Sequence, residues 1–136
     1  MNNLIIFFAD YAIFGLFTVL PYLWFTRHKN LALMASASAL LTWLIGAFIK
    51  DFFYFPRPWP MRLMDGSFPS NHTAAAFALS LSVFFHRRSL GLFLLALSLA
   101  IGVSRVAEGV HYPIDILGGA FLGLCVAWII DKYHSR

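Results

Sequence analysis

The sequence predicts an all-α, polytopic membrane bundle of about five transmembrane helices, and three observations carry that expectation. Hydrophobic residues make up 60% of the 136 positions and charged residues only 12%, whereas a soluble domain carries roughly a quarter of its residues as charges. So much apolar surface cannot be buried inside so small a soluble domain, and lipid is the natural place for it. The apolar residues fall into five runs near the roughly 20-residue length that a bilayer-spanning helix needs. The basic residues behind the net charge of +4 lie in short clusters between those runs. That distribution suits a membrane protein and argues against a nucleic-acid binder, whose basic patch would be broad. The length fits a single domain over residues 1–136.

The first span is expected from Leu4 to Phe25 and the second from Leu31 to Ile49. A short third span runs from Asn71 to Phe85, a fourth from Leu90 to Ala107, and a fifth from Pro113 to Ile130. No basic residue precedes the first run and no small-x-small cleavage site precedes Arg27, so this segment reads as a permanent span and not as a signal peptide. Cys125 is the sole cysteine, which excludes an internal disulfide; in its apolar run it reads as a small packing residue.

Orientation follows from positive charge in the short loops. Arg27 and Lys29 follow the first span, Arg87 and Arg88 the third, and Lys132 and Arg136 the fifth. With five spans these clusters share one side, expected to be cytoplasmic, and the N-terminus lies outside. Lys50, Arg57, Arg62 and Arg105 fall on the outer side with Asp51, Asp65, Glu108, Asp115, His72 and His111. Binding an anion is the simplest reason for ionisable groups on the side that the charge rule disfavours. The connection from Lys50 to Ser70 holds four prolines (56, 58, 60 and 69) and Phe52, Phe53, Tyr54, Phe55 and Trp59. Proline forbids a regular helix there and the aromatics suit the headgroup interface, so a stiff, partly immersed lid is expected.

Three clusters on that side could serve one piece of chemistry. Lys50 and Arg57 offer a point charge and a two-pronged guanidinium for phosphate oxygens; alternatively they are a snorkelling lysine and an interfacial arginine. Pro69-Ser70-Asn71-His72 marks a helix start, with Ser70 or Asn71 as N-cap. The first backbone amides there form an anion site, Ser70 adds a hydroxyl, and His72 could donate a proton to a departing oxygen; an ordinary cap with an interfacial histidine is the alternative. In the third cluster, Arg105 ends the fourth span, His111 lies in the following turn, and Pro113 suits the first helical position of the fifth. Asp115 can then accept from one nitrogen of His111, freeing the other as a nucleophile. The alternative is an ion pair of Arg105 with Glu108 or Asp115. Ionisable residues within a membrane are costly and default to function. Together the clusters supply the cations, helix N-terminus, nucleophile and acid that phosphoryl transfer requires. No carboxylate or His/Cys set for a metal is apparent, so neither a metal nor another cofactor is expected.

These residues resemble the type-2 phosphatidic acid phosphatase (PAP2) family. Its pattern K-x6-R-P, P-S-G-H, S-R-x5-H-x3-D reads here as KDFFYFPRP from Lys50, PSNH from Pro69 and SRVAEGVHYPID from Ser104, with matching spacings over about half the chain. The resemblance implies a helical core shared with vanadium-dependent haloperoxidases and a metal-independent lipid phosphatase. His111 would form a phosphohistidine, Asp115 would orient it, and His72 would protonate the leaving group. Lys50, Arg57, Arg105, Ser70 and the amides near Asn71 and His72 would hold the phosphoryl oxygens. Asn71 stands where the family has Gly; asparagine tolerates unusual backbone angles and keeps its amide. Many membrane relatives have six spans, and the five expected here correspond to the last five. The SFPSNH and HYPID segments are similar to small bacterial undecaprenyl-diphosphate phosphatases. That implies a multi-pass protein of the bacterial inner membrane, its site facing the periplasm or exterior, acting on a lipid phosphate or diphosphate among membrane lipids. Phosphatidylglycerophosphate, phosphatidate and lipid A phosphatases share the motifs. A lipid or ion translocator using the same polar cluster is the alternative of another class, though only Asp10 lies part-way along a span. Asp10 is expected to pair with a polar partner or sit near headgroups; Arg62 touches a diphosphate or is solvated. Trp24, Trp43 and Trp128 read as interface anchors, His28, His86 and His134 as interfacial, and Gly118, Gly119 and Gly123 as permitting close helix packing.

Overall fold

The computed structural model describes residues 3–58 and 66–134 and contains only helices and connections among them. Six helices run in order: α1 Asn3–Phe17, α2 Val19–Phe25, α3 Lys29–Phe52, α4 Asn71–His86, α5 Arg88–Ala107 and α6 Pro113–His134. Trp59, Pro60, Arg62 and Asp65 of the expected lid, and Arg136, lie outside the described residues.

The expected first span is two helices, interrupted at Thr18. Pro21, the third residue of α2, explains the break. It has no N–H for the carbonyl four residues back, and its ring crowds that carbonyl. The chain compensates locally: Thr18 N–H and its hydroxyl both donate to the Gly15 carbonyl, at 3.2 and 2.6 Å. The other four expected spans correspond to α3–α6, with α3 and α6 extended by several residues. α3, α5 and α6 are each long and apolar enough to cross a membrane. At 16 residues, α4 is only about 24 Å long, short of a bilayer core of about 30 Å.

That shortness fits its position. α4 is the central helix, contacted by α3, α5 and α6, so its neighbours, not lipid, cover most of it. Its buried residues are small: Ala74, Ala75, Ala76, Ala78, Ser80 and Ser82. Small side chains let helix backbones approach where lipid offers no hydrophobic drive to association. α6 approaches closely at Gly119, where a β-carbon would stand 2.6 Å from the Ser70 carbonyl oxygen, and more closely still at Gly123, where it would meet the Ala74 carbonyl oxygen. The packing role expected of the α6 glycines is therefore realised. Hydroxyl pairs tie the bundle across its interior, Ser82 to Ser38 and Ser80 to Ser98, each at 2.9 Å. The outer surface is apolar: Leu40 and Phe48 of α3, Leu92 and Phe93 of α5, and Leu117 and Phe121 of α6 are all more than half exposed. Trp24, Trp43 and Trp128 are exposed as well, as anchors should be.

Gly119→Ala is expected to destabilise the protein by about 1–3 kcal/mol, the usual cost of overfilling a packed interface. Thermal unfolding in detergent measures it, and an unchanged midpoint would mean that α4 and α6 part without cost.

Candidate active site

All three sequence clusters arrive at one end of the bundle, where α3 and α5 finish and α4 and α6 begin. Local chemistry sets each start and stop. Ser70 is the N-cap of α4, extended at φ −70°, ψ 110°. Its hydroxyl oxygen accepts from the Thr73 hydroxyl at 3.1 Å and from Thr73 N–H at 3.5 Å. The lone pairs of Ser70 are thus used in the cap, which leaves its O–H as the group it can offer a ligand. The amides of Asn71 and His72 belong to the first turn, where no helical carbonyl precedes them. Asn71 has an ordinary helical backbone, since Arg27 is the one non-glycine residue at positive φ among those described. No unusual backbone angle explains the Asn-for-Gly exchange; instead the Asn71 amide side chain fills space beside Gly46 of α3.

At the end of α5, Gly109 takes φ 83°, a left-handed stop that glycine adopts without steric cost. Val110 N–H then returns to the Arg105 carbonyl at 3.3 Å. This turn swings His111 over the start of α6, which begins at Pro113 as expected. His111 Nδ1 lies 3.3 Å from Asp115 Oδ2, and the same oxygen accepts Tyr112 N–H at 2.8 Å. The Asp115 carbonyl accepts Ser70 N–H at 3.0 Å, joining the second motif to the third through the backbone. With its proton on Nδ1 facing the carboxylate, His111 keeps a lone pair on Nε2. Arg57 stands there, Nη1 3.3 Å from Nε2 and donating to the Val110 carbonyl at 3.2 Å. Burial pushes the His111 imidazole below its ordinary value, the charges of Arg57, Arg105 and Lys50 act the same way, and the hydrogen bond to Asp115 opposes them. A neutral ring near neutral pH is the form that can attack phosphorus.

The remaining candidate residues lie at the same end of the bundle. Lys50 and Arg105 are buried. Both act electrostatically on His72, as do His111 and Asp10. His72 is the second residue of α4, partly exposed, its ring edge-on to Trp43 with centroids 5.7 Å apart. Arg105 Nη1 donates to Glu108 Oε2 at 3.2 Å and to Asp10 Oδ1 at 2.8 Å. The Arg105–Glu108 pair raised as an alternative therefore exists, and it shares its Arg105 nitrogen with Asp10. Asp10 has found a polar partner, 95 positions away. Its contribution could be suspected only from its being the sole charged residue in α1. Among the described residues no group of His, Cys, Asp or Glu could hold a metal ion. An apolar recess of about 410 Å³, lined by Phe55, Pro56, Phe68, Tyr112 and Ile114, reaches Asp115.

Comparison with known proteins identifies the family and the fold. The PAP2 superfamily pattern matches residues 30–136. Undecaprenyl-diphosphatase BcrC of Bacillus subtilis (strain 168) is 27% identical over 99% of this chain and 76% of its own length. Its Bacillus licheniformis counterpart, named bacitracin transport permease protein BcrC, is 28% identical over 97% of this chain and 73% of its own. Among solved structures, Aquifex aeolicus LpxE superposes with a TM-score of 0.80 at 28% identity, covering 98% of this chain and 88% of that one. A transmembrane PAP2 type phosphatidylglycerolphosphate phosphatase from Bacillus subtilis shares the fold, with a TM-score of 0.73 at 20% identity over 98% and 74% of the two chains.

Proposed function

Because the chain belongs to the PAP2 superfamily, we propose that it is a multi-pass membrane phosphatase that removes the terminal phosphate of a lipid phosphate or diphosphate through a phosphohistidine. The observation that carries this reading is the His111–Asp115 pair with Arg57 at the free ring nitrogen. His111 Nε2 attacks phosphorus as the bond to the leaving oxygen breaks, and Asp115 holds the Nδ1 proton and steadies the positive ring that forms. Lys50, Arg57, Arg105, the Ser70 hydroxyl and the amides of Asn71 and His72 bind the phosphoryl oxygens and offset the charge developing on them. His72 gives its proton to the leaving oxygen, then takes one from the water that hydrolyses the phosphohistidine and regenerates His111. These groups supply nucleophile, acid and charge compensation, so the reaction is expected to run without a metal ion.

The substrate we favour is undecaprenyl diphosphate, converted to undecaprenyl phosphate at the periplasmic or outer face of a bacterial inner membrane. The resemblance to undecaprenyl-diphosphatase BcrC over nearly the whole chain supports this choice, and the exposed basic residues at the opposite end of the bundle, Arg27, Lys29 and Lys132, support that orientation by the positive-inside rule. Phosphatidylglycerophosphate, phosphatidate and lipid A phosphates are the competing substrates. A translocator would bind the same lipids without turnover.

Purified protein in detergent with EDTA is expected to release inorganic phosphate from an isoprenyl diphosphate faster than from the other three lipid classes. No release from any of them would remove the phosphatase reading, and preference for a glycerophosphate would reassign the substrate.

A further inference from the structure

Asp10 belongs to none of the three motifs, yet its carboxylate makes a 2.8 Å ion pair with a residue of the phosphate-binding set. It is the only charged residue of α1, and a carboxylate within an apolar membrane helix needs a partner that offsets its cost. The partner is Arg105, whose side chain is only 7% exposed. Two carboxylates meet on one guanidinium nitrogen: Glu108, itself 3% exposed, and Asp10, 42% exposed. Glu108 therefore holds Arg105 from the protein interior, and Asp10 holds it where a ligand can reach.

Clamping matters because a long, flexible arginine loses conformational freedom when it binds phosphate, and an arginine already held in place loses less. Asp10 also bears electrostatically on His72. Burial weighs most on His72, and the charged groups acting on it are Arg105 of α5, His111 of the α5–α6 turn, Lys50 of α3 and Asp10 of α1. Asp10 is the only negative charge among them. A general acid must carry a proton when the substrate arrives, and a pocket built to attract phosphate is a cationic place that opposes it. A carboxylate in the same pocket offsets that opposition.

We infer that Asp10 is a positioning residue of the phosphatase site, holding Arg105 in place for the phosphoryl oxygens and, through that ion pair, supplying a counter-charge to the cationic pocket that His72 serves as proton donor. The inference rests on the phosphatase reading. It gives α1, which contributes nothing to the sequence motifs, a part in the reaction.

The test compares wild type, Asp10→Asn and Asp10→Glu on an isoprenyl diphosphate across pH, with vanadate inhibition and thermal unfolding measured on the same preparations. Asp10→Asn is expected to lower kcat about tenfold or more, as loss of a charge-assisted contact in a site would. KM should change much less. The alkaline limb of the kcat profile should move to lower pH, because the donor gives up its proton sooner once its counter-charge is gone. Vanadate should inhibit more weakly, and Asp10→Glu should recover part of the rate and return the limb toward its wild-type position. An Asp10→Asn protein with wild-type kcat and an unmoved limb would overturn the inference. So would one whose rate falls only as its unfolding midpoint falls, with the limb unmoved and no recovery in Asp10→Glu, since Asp10 would then merely tie α1 to α5. An inactive wild type sinks the phosphatase reading and this inference together, whereas an active wild type beside an unaffected Asp10→Asn sinks this inference alone.

Discussion

His111→Ala is expected to abolish phosphate release, lowering kcat by at least about four orders of magnitude, the scale on which loss of an activated nucleophile is felt in triad enzymes. The geometry makes the expectation specific to this ring. Its Nδ1 side is occupied by Asp115, itself fixed by the Tyr112 amide, while Nε2 faces the guanidinium of Arg57. Alanine removes the attacking atom and leaves the cationic pocket around it intact. The variant should therefore still bind vanadate through Lys50, Arg57 and Arg105 while turning nothing over. Turnover and vanadate binding measured side by side separate a lost nucleophile from a collapsed site. Wild-type protein quenched in alkali during turnover should carry a phosphoryl group that acid removes, and the alanine variant should carry none. Full activity in His111→Ala, or the same adduct on it, would overturn the assignment.

What the sequence revealed, and what it hid, divides along the range of the interactions. The His111–Asp115 contact spans four positions, and both its supports are local signals: a glycine that can turn left-handed at 109 and a proline that opens a helix at 113. Ser70 as a cap before a run of small residues is local in the same sense. The motifs fix which residues are candidates, and the alternating direction of successive helices brings them to one end. The Asp10–Arg105 bond is of another kind, since nothing near residue 10 says which helix α1 will pack against. Two further features lay in plain view under a coarser pattern. Pro21 breaks the first apolar run at Thr18, but a run judged by length and apolarity alone hides one proline. His86 reads as interfacial, yet its Nε2 lies 3.0 Å from Asp131 Oδ1 near the end of α6, a pairing that depends on how far α6 extends. Ser70 shows the limit in chemical terms: its type announces both a cap and a phosphate contact, and only the Thr73 geometry shows that its oxygen already serves the cap.

His72→Ala is expected to slow hydrolysis of a lipid phosphate by about 10²–10⁴-fold, the usual worth of a positioned general acid, with the loss depending on what departs. An alkoxide is a poor leaving group and needs a proton as its bond to phosphorus breaks. A nitrophenolate leaves without one. The ratio of wild-type to variant rates should therefore be largest for an alkyl phosphate, smaller for a diphosphate whose leaving group is itself a phosphate, and close to one for an aryl phosphate with an acidic phenol. The position of His72 makes this the discriminating measurement. It lies in the first turn of α4, partly exposed and edge-on to the exposed Trp43, where it could equally serve as a binding or packing residue. Either of those roles would slow all substrates by a similar factor, because both act on the phosphoryl group or the pocket common to every substrate. A loss that ignores leaving-group acidity would thus remove His72 from the proton-transfer step while leaving His111 as nucleophile. A graded loss would also predict that the second step, attack of water on the phosphohistidine, slows by one fixed factor whatever the substrate, since by then the leaving group has gone and His72 serves only as the base for water.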